Sequence, residues 1–234
     1  MPGEDRRTQL RLLLAQDDSD RVLDGLADEW PADALQLVGD TLLRALVGGT
    51  SRAADLARRC ATELRSREWD GDAELADLLE ATLGIGPIPL LRPIAVDLEE
   101  LAMLLEGDPV HAGGRIDLRT GEVWPAAAIE YAQEAGELDA ADDDDEDEGR
   151  WLWVPCEGSR DGYRDMELFA ARIGDAGLRG RLEQELTGRG VFRRFRDVLA
   201  ESPRHLQEWY AFTDERQRGR ARNWLASEGY RPIP

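Results

Sequence analysis

"GIGPIPLLRPIAV", residues 84–96, is the stretch on which the reading of this chain turns. Pro87, Pro89 and Pro93 fall among its apolar residues. Proline removes a backbone donor and clashes with the preceding helical turn, so the stretch reads as an extended connector or edge strand. The residues before it repeat with the helical period and those after it mix helical and strand patterns. The fold class expected is therefore α+β. It consists of an N-terminal helical bundle (1–84), a connector (85–93), and an α+β domain (94–234) in which a small antiparallel sheet is covered by helices.

Upstream, residues 8–83 read as successive helices. Leu12, Leu13, Val22, Leu23 and Leu26 recur at helical spacing, as do Leu35, Val38, Leu42, Leu43 and Leu46. "GGTS" breaks the pattern, Ser51 suits the N-cap of a third helix bearing Leu56, Cys60 and Leu64, and "DGDAELADLLEATLG" supplies a fourth that ends at Gly84. Downstream, Asp97 followed by Glu100 predicts a capped helix that closes at Gly107. "RIDLRTGEVW" (115–124) alternates about the turn "RTG" and predicts a hairpin, to which "WLWVP" (151–155) adds a strand. Further helices follow, carrying Met166, Phe169 and Ile173, then Leu178, Leu182 and Leu186, then Phe192, Phe195 and Leu199.

The chain has 49 acidic residues against 29 basic ones, and every basic residue is arginine. Without lysine there is no Schiff-base amine, no pyridoxal-phosphate anchor and no phosphate-loop lysine, and the sequence shows no cofactor-binding signature. The charge is uneven: residues 85–150 hold 18 acids and 4 arginines, whereas 151–234 hold 13 and 15. "DDDDEDE" (142–148) predicts a disordered acidic loop over 139–149, because adjacent carboxylates repel one another and bury nothing. A net charge of −20 argues against direct nucleic-acid binding, which draws its affinity from neutralised phosphates. No apolar run reaches the roughly 18 residues of a membrane span, and the start of the chain lacks an apolar leader, so a cytoplasmic protein is expected. Cys60 and Cys156 read as reduced thiols rather than a disulfide.

Five stretches, "DLRTGEVW", "GYRDMELFA", "GRGVFRRFRD", "WYAF" and "WLASEGYRP", resemble in their order the bacterial uncharacterised protein family 0158 over residues 115–231. The resemblance implies a compact α+β module in a bacterial cytoplasm. It carries no activity and no catalytic residue.

Two histidines and two cysteines form no paired-ligand spacing, so no metal site is expected. Ser202, His205 and Asp214 contain the elements of a hydrolytic triad but lack a nucleophile elbow. The strongest candidate site is "TGRGVFRRFRDVL" (187–199). Gly188 suits a left-handed helix C-cap, and Gly190 frees the backbone before the next helix. Arg189, Arg193, Arg194 and Arg196 then surround a helix start whose N–H groups favour anions. Trp209 and Tyr210 add aromatic surface beside these arginines. The residues point to a binding or adaptor protein rather than an enzyme, one that accepts an anionic small molecule or an acidic protein segment. The alternative is a metal-dependent phosphate-ester-processing enzyme working through carboxylates. Nothing in the sequence specifies an oligomeric state.

Overall fold

The computed structural model describes residues 19–28, 30–107, 113–135 and 149–233. The described residues form an α+β fold. In chain order the elements are α1 (Ser19–Asp28), α2 (Leu35–Val47), α3 (Ala53–Arg67), α4 (Asp72–Thr82), β1 (Arg92–Ile94) and α5 (Leu98–Leu105). Then come β2 (Gly114–Asp117), β3 (Val123–Pro125), α6 (Ala126–Glu134), β4 (Trp151–Val154) and α7 (Arg160–Arg172). The chain ends in α8 (Ala176–Glu185), α9 (Val191–Ala200), α10 (Pro203–Ser227) and β5 (Tyr230–Pro232). The expected loop at 139–149 lies, apart from Gly149, outside the described residues, as do His111 and the helical pattern before Ser19.

These elements group into two compact units, and the grouping differs from the division expected at the connector. One unit comprises residues up to Pro89 together with 162–219, and the other comprises 90–161 and 220–233. The chain leaves the first unit after Pro89 and returns to it at Gly162. Helices α7 to α9 and most of α10 belong with the N-terminal helices rather than with the sheet.

Within the first unit, Leu23 and Leu26 of α1, Val38 and Leu42 of α2, Cys60 and Leu64 of α3, and Leu75 and Leu79 of α4 form one buried apolar cluster. Helix α3 begins at Ala53 with Arg52 at its N-cap, so Ser51 does not cap it. Ser51 contributes its carbonyl to the Ala54 N–H instead. A second cluster joins Met166 and Phe169 of α7, Ile173 just after it, Leu182 of α8, Val191, Phe195 and Leu199 of α9, and Trp209 and Phe212 of α10. Its rings meet mainly edge-on: Phe195 lies 5.1 Å and Phe169 5.2 Å from Trp209, and Trp69 lies 5.3 Å from Phe212. Helix α10 also approaches the loop before α4 so closely that a Cβ on Gly219 would stand 2.1 Å from the Asp70 carbonyl oxygen. A Cβ on Gly71, which is left-handed at φ +77°, would stand 2.2 Å from the Gly219 carbonyl oxygen. Only glycine fits either position.

The second unit is built on a three-stranded antiparallel sheet ordered β3-β2-β4. Asp117 donates its N–H to Glu122 and Gly121 turns at φ +82°, closing the hairpin that the alternation predicts. Ile116 pairs with Val123 and Leu152, and these face a core with Val154, Leu101 and Leu105 of α5, and Leu225 of α10. The Asp97 carboxylate accepts from the Glu99 N–H (2.7 Å) and the Glu100 N–H (3.4 Å), capping α5 as the sequence predicts. The connector's last residues become β1, which pairs in parallel with β5. Pro93 and Pro232 occupy positions facing away from the partner strand, which leaves each outer edge short of a donor and blunts further pairing.

Candidate functional site

Residues 187–199 lie within the first unit. Gly188 (φ +85°) is left-handed as expected, although the C-cap of α8 is Leu186, two residues earlier, and Gly190 (φ +71°) is left-handed as well. A Cβ on Gly188 would meet nothing, so backbone conformation alone calls for glycine there. Gly190 stands at the N-cap of α9 and sets its start at Val191.

The four arginines of this segment divide into two roles. Arg194 is an internal partner and not an open ligand donor. Its Nε donates to the Glu185 carboxylate at 2.6 Å, and its Nη2 donates to the carbonyls of Thr187 (2.6 Å) and Glu185 (3.2 Å). Its Nη1 donates to the Arg189 carbonyl. The guanidinium thus serves the carbonyls that α8 leaves unpaired at its C-terminus, where a cation also complements the helix dipole. Tyr163 supports the same helix end by donating its hydroxyl to the Leu186 carbonyl at 2.7 Å. Arg189, Arg193 and Arg196, by contrast, are exposed. Arg193 stands 3.8 Å from Asp197 with 84% of its side chain open, a loose pair across one helical turn. Among the described residues no carboxylate pairs with Arg189 or Arg196.

The aromatic half of the expected face is mostly core. Trp209 is 9% exposed and sits at the centre of the ring cluster, so it is closed to a ligand; Tyr210, one residue on, is 46% exposed. The two phenylalanines of α9 also part company. Phe195 is buried with Val191 one turn before it and Leu199 one turn after, whereas Phe192 is 46% exposed and its ring rests on Gly162. The inward stripe therefore starts at Val191, not at Phe192.

Ser202 Oγ lies 2.7 Å from His205 Nδ1, but Ser202 immediately precedes α10 with Pro203 at the first helical position. This is a helix-start pairing. Asp214 lies more than two turns further along the same helix, which leaves no triad. Among the described residues, no three histidine, cysteine or acidic side chains group closely enough to hold a metal ion. Cys60 and Cys156 are both free. Burial, and then the negative charge of Glu215, push the Cys60 thiol far above its ordinary value, so it stays protonated and inert. Cys156 is half-buried and donates to the Gly107 carbonyl.

Two further arrangements lie outside the residues expected from the sequence. In the first unit Arg67 grips Asp72 with two hydrogen bonds (2.8 and 2.5 Å) and Glu215 with a third (2.9 Å). Gln36 donates its N–H to Glu215 at 2.6 Å and its side-chain amide to Asp72 at 2.9 Å. Asp72 and Glu215 are 1% and 3% exposed, so this is a buried polar network linking α2, α3, α4 and α10. In the second unit, the sheet face opposite the apolar core carries Arg115, Asp117, Trp124, Trp151 and Trp153. Alternation in "WLWV" was the available signal. Arg115 lies between Trp124 and Trp153 in register, and Asp117 lies opposite Trp151. The guanidinium groups of Arg115 and Arg150 stand 3.8 and 4.5 Å from the Trp151 ring. Arg150 also holds Asp117 at 2.9 Å.

The described residues make an α+β module with a small antiparallel sheet and arginine-bearing helices. The chain belongs to UPF0158, an uncharacterised protein family whose profile matches residues 96–233. That span begins well before the hairpin and takes in α5. Over 142 residues the chain is 28% identical to the UPF0158 protein PA5073 of Pseudomonas aeruginosa, covering 61% of this chain and 88% of that protein. No solved structure matches. No helix among the described residues is long and apolar enough to cross a membrane.

Proposed function

We propose that the protein is a non-enzymatic binding or adaptor protein, and that it receives an anionic ligand or acidic protein segment on Arg189, Arg193 and Arg196 around the start of α9. The observation that carries this reading is the division of labour among adjacent arginines. Arg194 ties the loop after α8 to α9, and the other three guanidinium groups are left exposed on the element it fixes. The three lie close together in sequence around the start of one helix, and a planar guanidinium suits carboxylate or phosphate oxygens. The left-handed Gly190 leaves the first N–H groups of α9 facing outward beside them. Tyr210 is the aromatic residue of the expected face that remains open.

The test compares a phosphoserine peptide and an oligoglutamate peptide as ligands, titrated at low and moderate salt. Replacing Arg189, Arg193 and Arg196 together by glutamine keeps much of each aliphatic stem and should weaken binding by about tenfold or more without loss of fold. Arg194→Gln should instead lower stability. If the wild type shows no salt-sensitive binding, or the triple variant binds as tightly, the reading fails.

A further inference from the structure

The sheet face that turns away from the apolar core lies in the second unit and has no part in the arginine site. Strand side chains alternate, so Leu152 and Val154 enter the core while Trp151 and Trp153 take the other face. Trp153 is 61% exposed, Trp124 and Trp151 are half-buried, and Arg115 is buried. In register Arg115 has Trp124 on one side and Trp153 on the other. The two indoles therefore rise from strands about 10 Å apart, with an arginine between them.

Three observations define what this face would hold. The first is an open ring: the guanidinium groups of Arg115 and Arg150 cover Trp151 at 3.8 and 4.5 Å, whereas among the described residues no ring or cation stacks on Trp153. The second is the sign of the charge. Arg115, Arg119 and Arg150 outnumber Asp117 and Glu122, the two carboxylates that the described strands and their turn bring to this face. An anion is favoured there over a cation. The third is the indole N–H of Trp151, which is buried and has no acceptor. A buried donor left unpaired is costly, and an anionic oxygen is the strongest acceptor that could satisfy it. Trp151 and Trp153 stand two residues apart on one strand, about 7 Å. A ligand that meets both carries a flat ring at one end and an anionic oxygen at the other, which is the chemistry of a nucleotide. Its size follows from screening. Charge interactions fade over about 8–10 Å at physiological salt, so a small anion responds to the adjacent guanidinium groups, while a polynucleotide would meet a chain of net charge −20. We propose that this face binds a mononucleotide, its base stacked on Trp153 and a phosphate oxygen accepting from Trp151 Nε1 beside Arg115 and Arg150.

The experiment titrates AMP, and separately adenosine and ribose 5-phosphate, into the full chain by calorimetry. The chain used has Arg189, Arg193 and Arg196 replaced by glutamine, so that phosphate held at the start of α9 does not contribute. AMP should bind more tightly than either half. In that background Trp153→Leu leaves the net charge unchanged and should weaken AMP and adenosine by about tenfold or more, with circular dichroism unaltered. Trp151→Phe keeps a ring but removes the N–H, and should weaken AMP while leaving adenosine unchanged. In a protein without either tryptophan substitution, AMP but not adenosine should shift the Trp151 indole N–H resonance, which is assigned by its loss in Trp151→Phe. Absence of AMP binding at millimolar concentration would overturn the proposal, as would equal binding by Trp153→Leu. Ribose 5-phosphate binding as tightly as AMP would reduce the face to a simple anion site and overturn it. A Trp153-dependent preference for a single-stranded oligonucleotide over AMP would overturn it in favour of nucleic acid.

Discussion

Gly219→Ala tests the close packing of α10, because two effects of opposite sign meet at one atom. In a helix interior, alanine is favoured over glycine by about 1 kcal/mol. Against this, the added Cβ would stand 2.1 Å from the Asp70 carbonyl oxygen and 3.6 Å from the Gln36 amide nitrogen. The first of these contacts is with backbone, so it cannot be relieved by a rotamer change. Relief needs a shift of α10 or of the loop before α4, and overpacking of this kind costs typically 1–3 kcal/mol. A shift would also stretch the Gln36–Glu215 and Arg67–Glu215 bonds, at 2.6 and 2.9 Å, so the upper part of that range is expected. The net loss should be about 2 kcal/mol, a fall in Tm of about 4–8 °C for a chain of this size. Gly180→Ala is the matched control. It lies inside α8 and its Cβ would meet nothing within 4 Å, so propensity acts alone and stability should rise by up to about 1 kcal/mol. Thermal and urea melts of both variants, followed by circular dichroism, decide the matter. If Gly219→Ala proves as stable as the wild type, the close approach of α10 does not constrain the fold as argued.

Arg67→Met should cost about 3–5 kcal/mol in a urea melt, since it removes the cation that the buried Asp72 and Glu215 carboxylates share; a loss below about 1 kcal/mol would mean that other groups satisfy them. Burial raises the Asp117 carboxyl, but the Arg119 N–H and the Arg150 guanidinium outweigh it and hold the group below the ordinary carboxylate value. A depressed group contributes stability above its unfolded value and loses it as pH falls through its folded value. Asp117→Asn should therefore be less stable than the wild type at neutral pH, with the gap closing below about pH 4; a gap that stays constant down to about pH 2 would contradict this. Asp97→Ala should cost about 1 kcal/mol by removing the cap of α5, measured as increased amide exchange at the start of that helix.

Local signals carried much of the fold. "RTG" between alternating residues marked the hairpin, Asp97 marked the start of α5, and Gly188 announced a left-handed turn, because each depends on the conformational limits of a few adjacent residues. Helical periodicity likewise found buried residues of α2, α3 and α7. At α9 it was one residue adrift, because Phe192 sits in the first turn where Gly162, far away in sequence, leaves room for its ring. The site was less legible than the fold. Arg193 and Arg194 are identical neighbours, yet one faces solvent and the other grips the carbonyls at the end of α8; about 100° of helical rotation separates them, and which direction meets a helix end depends on how α8 and α9 pack. Arg67 and Glu215, 148 positions apart, meet for the same kind of reason, as do Gly219 and Asp70. An amphipathic stripe states that a helix needs a partner but not which one, since apolar burial is non-directional. The choice that placed residues 162–219 with the N-terminal helices was made by shape at close contacts and by the pairing of charges that burial would otherwise leave unsatisfied.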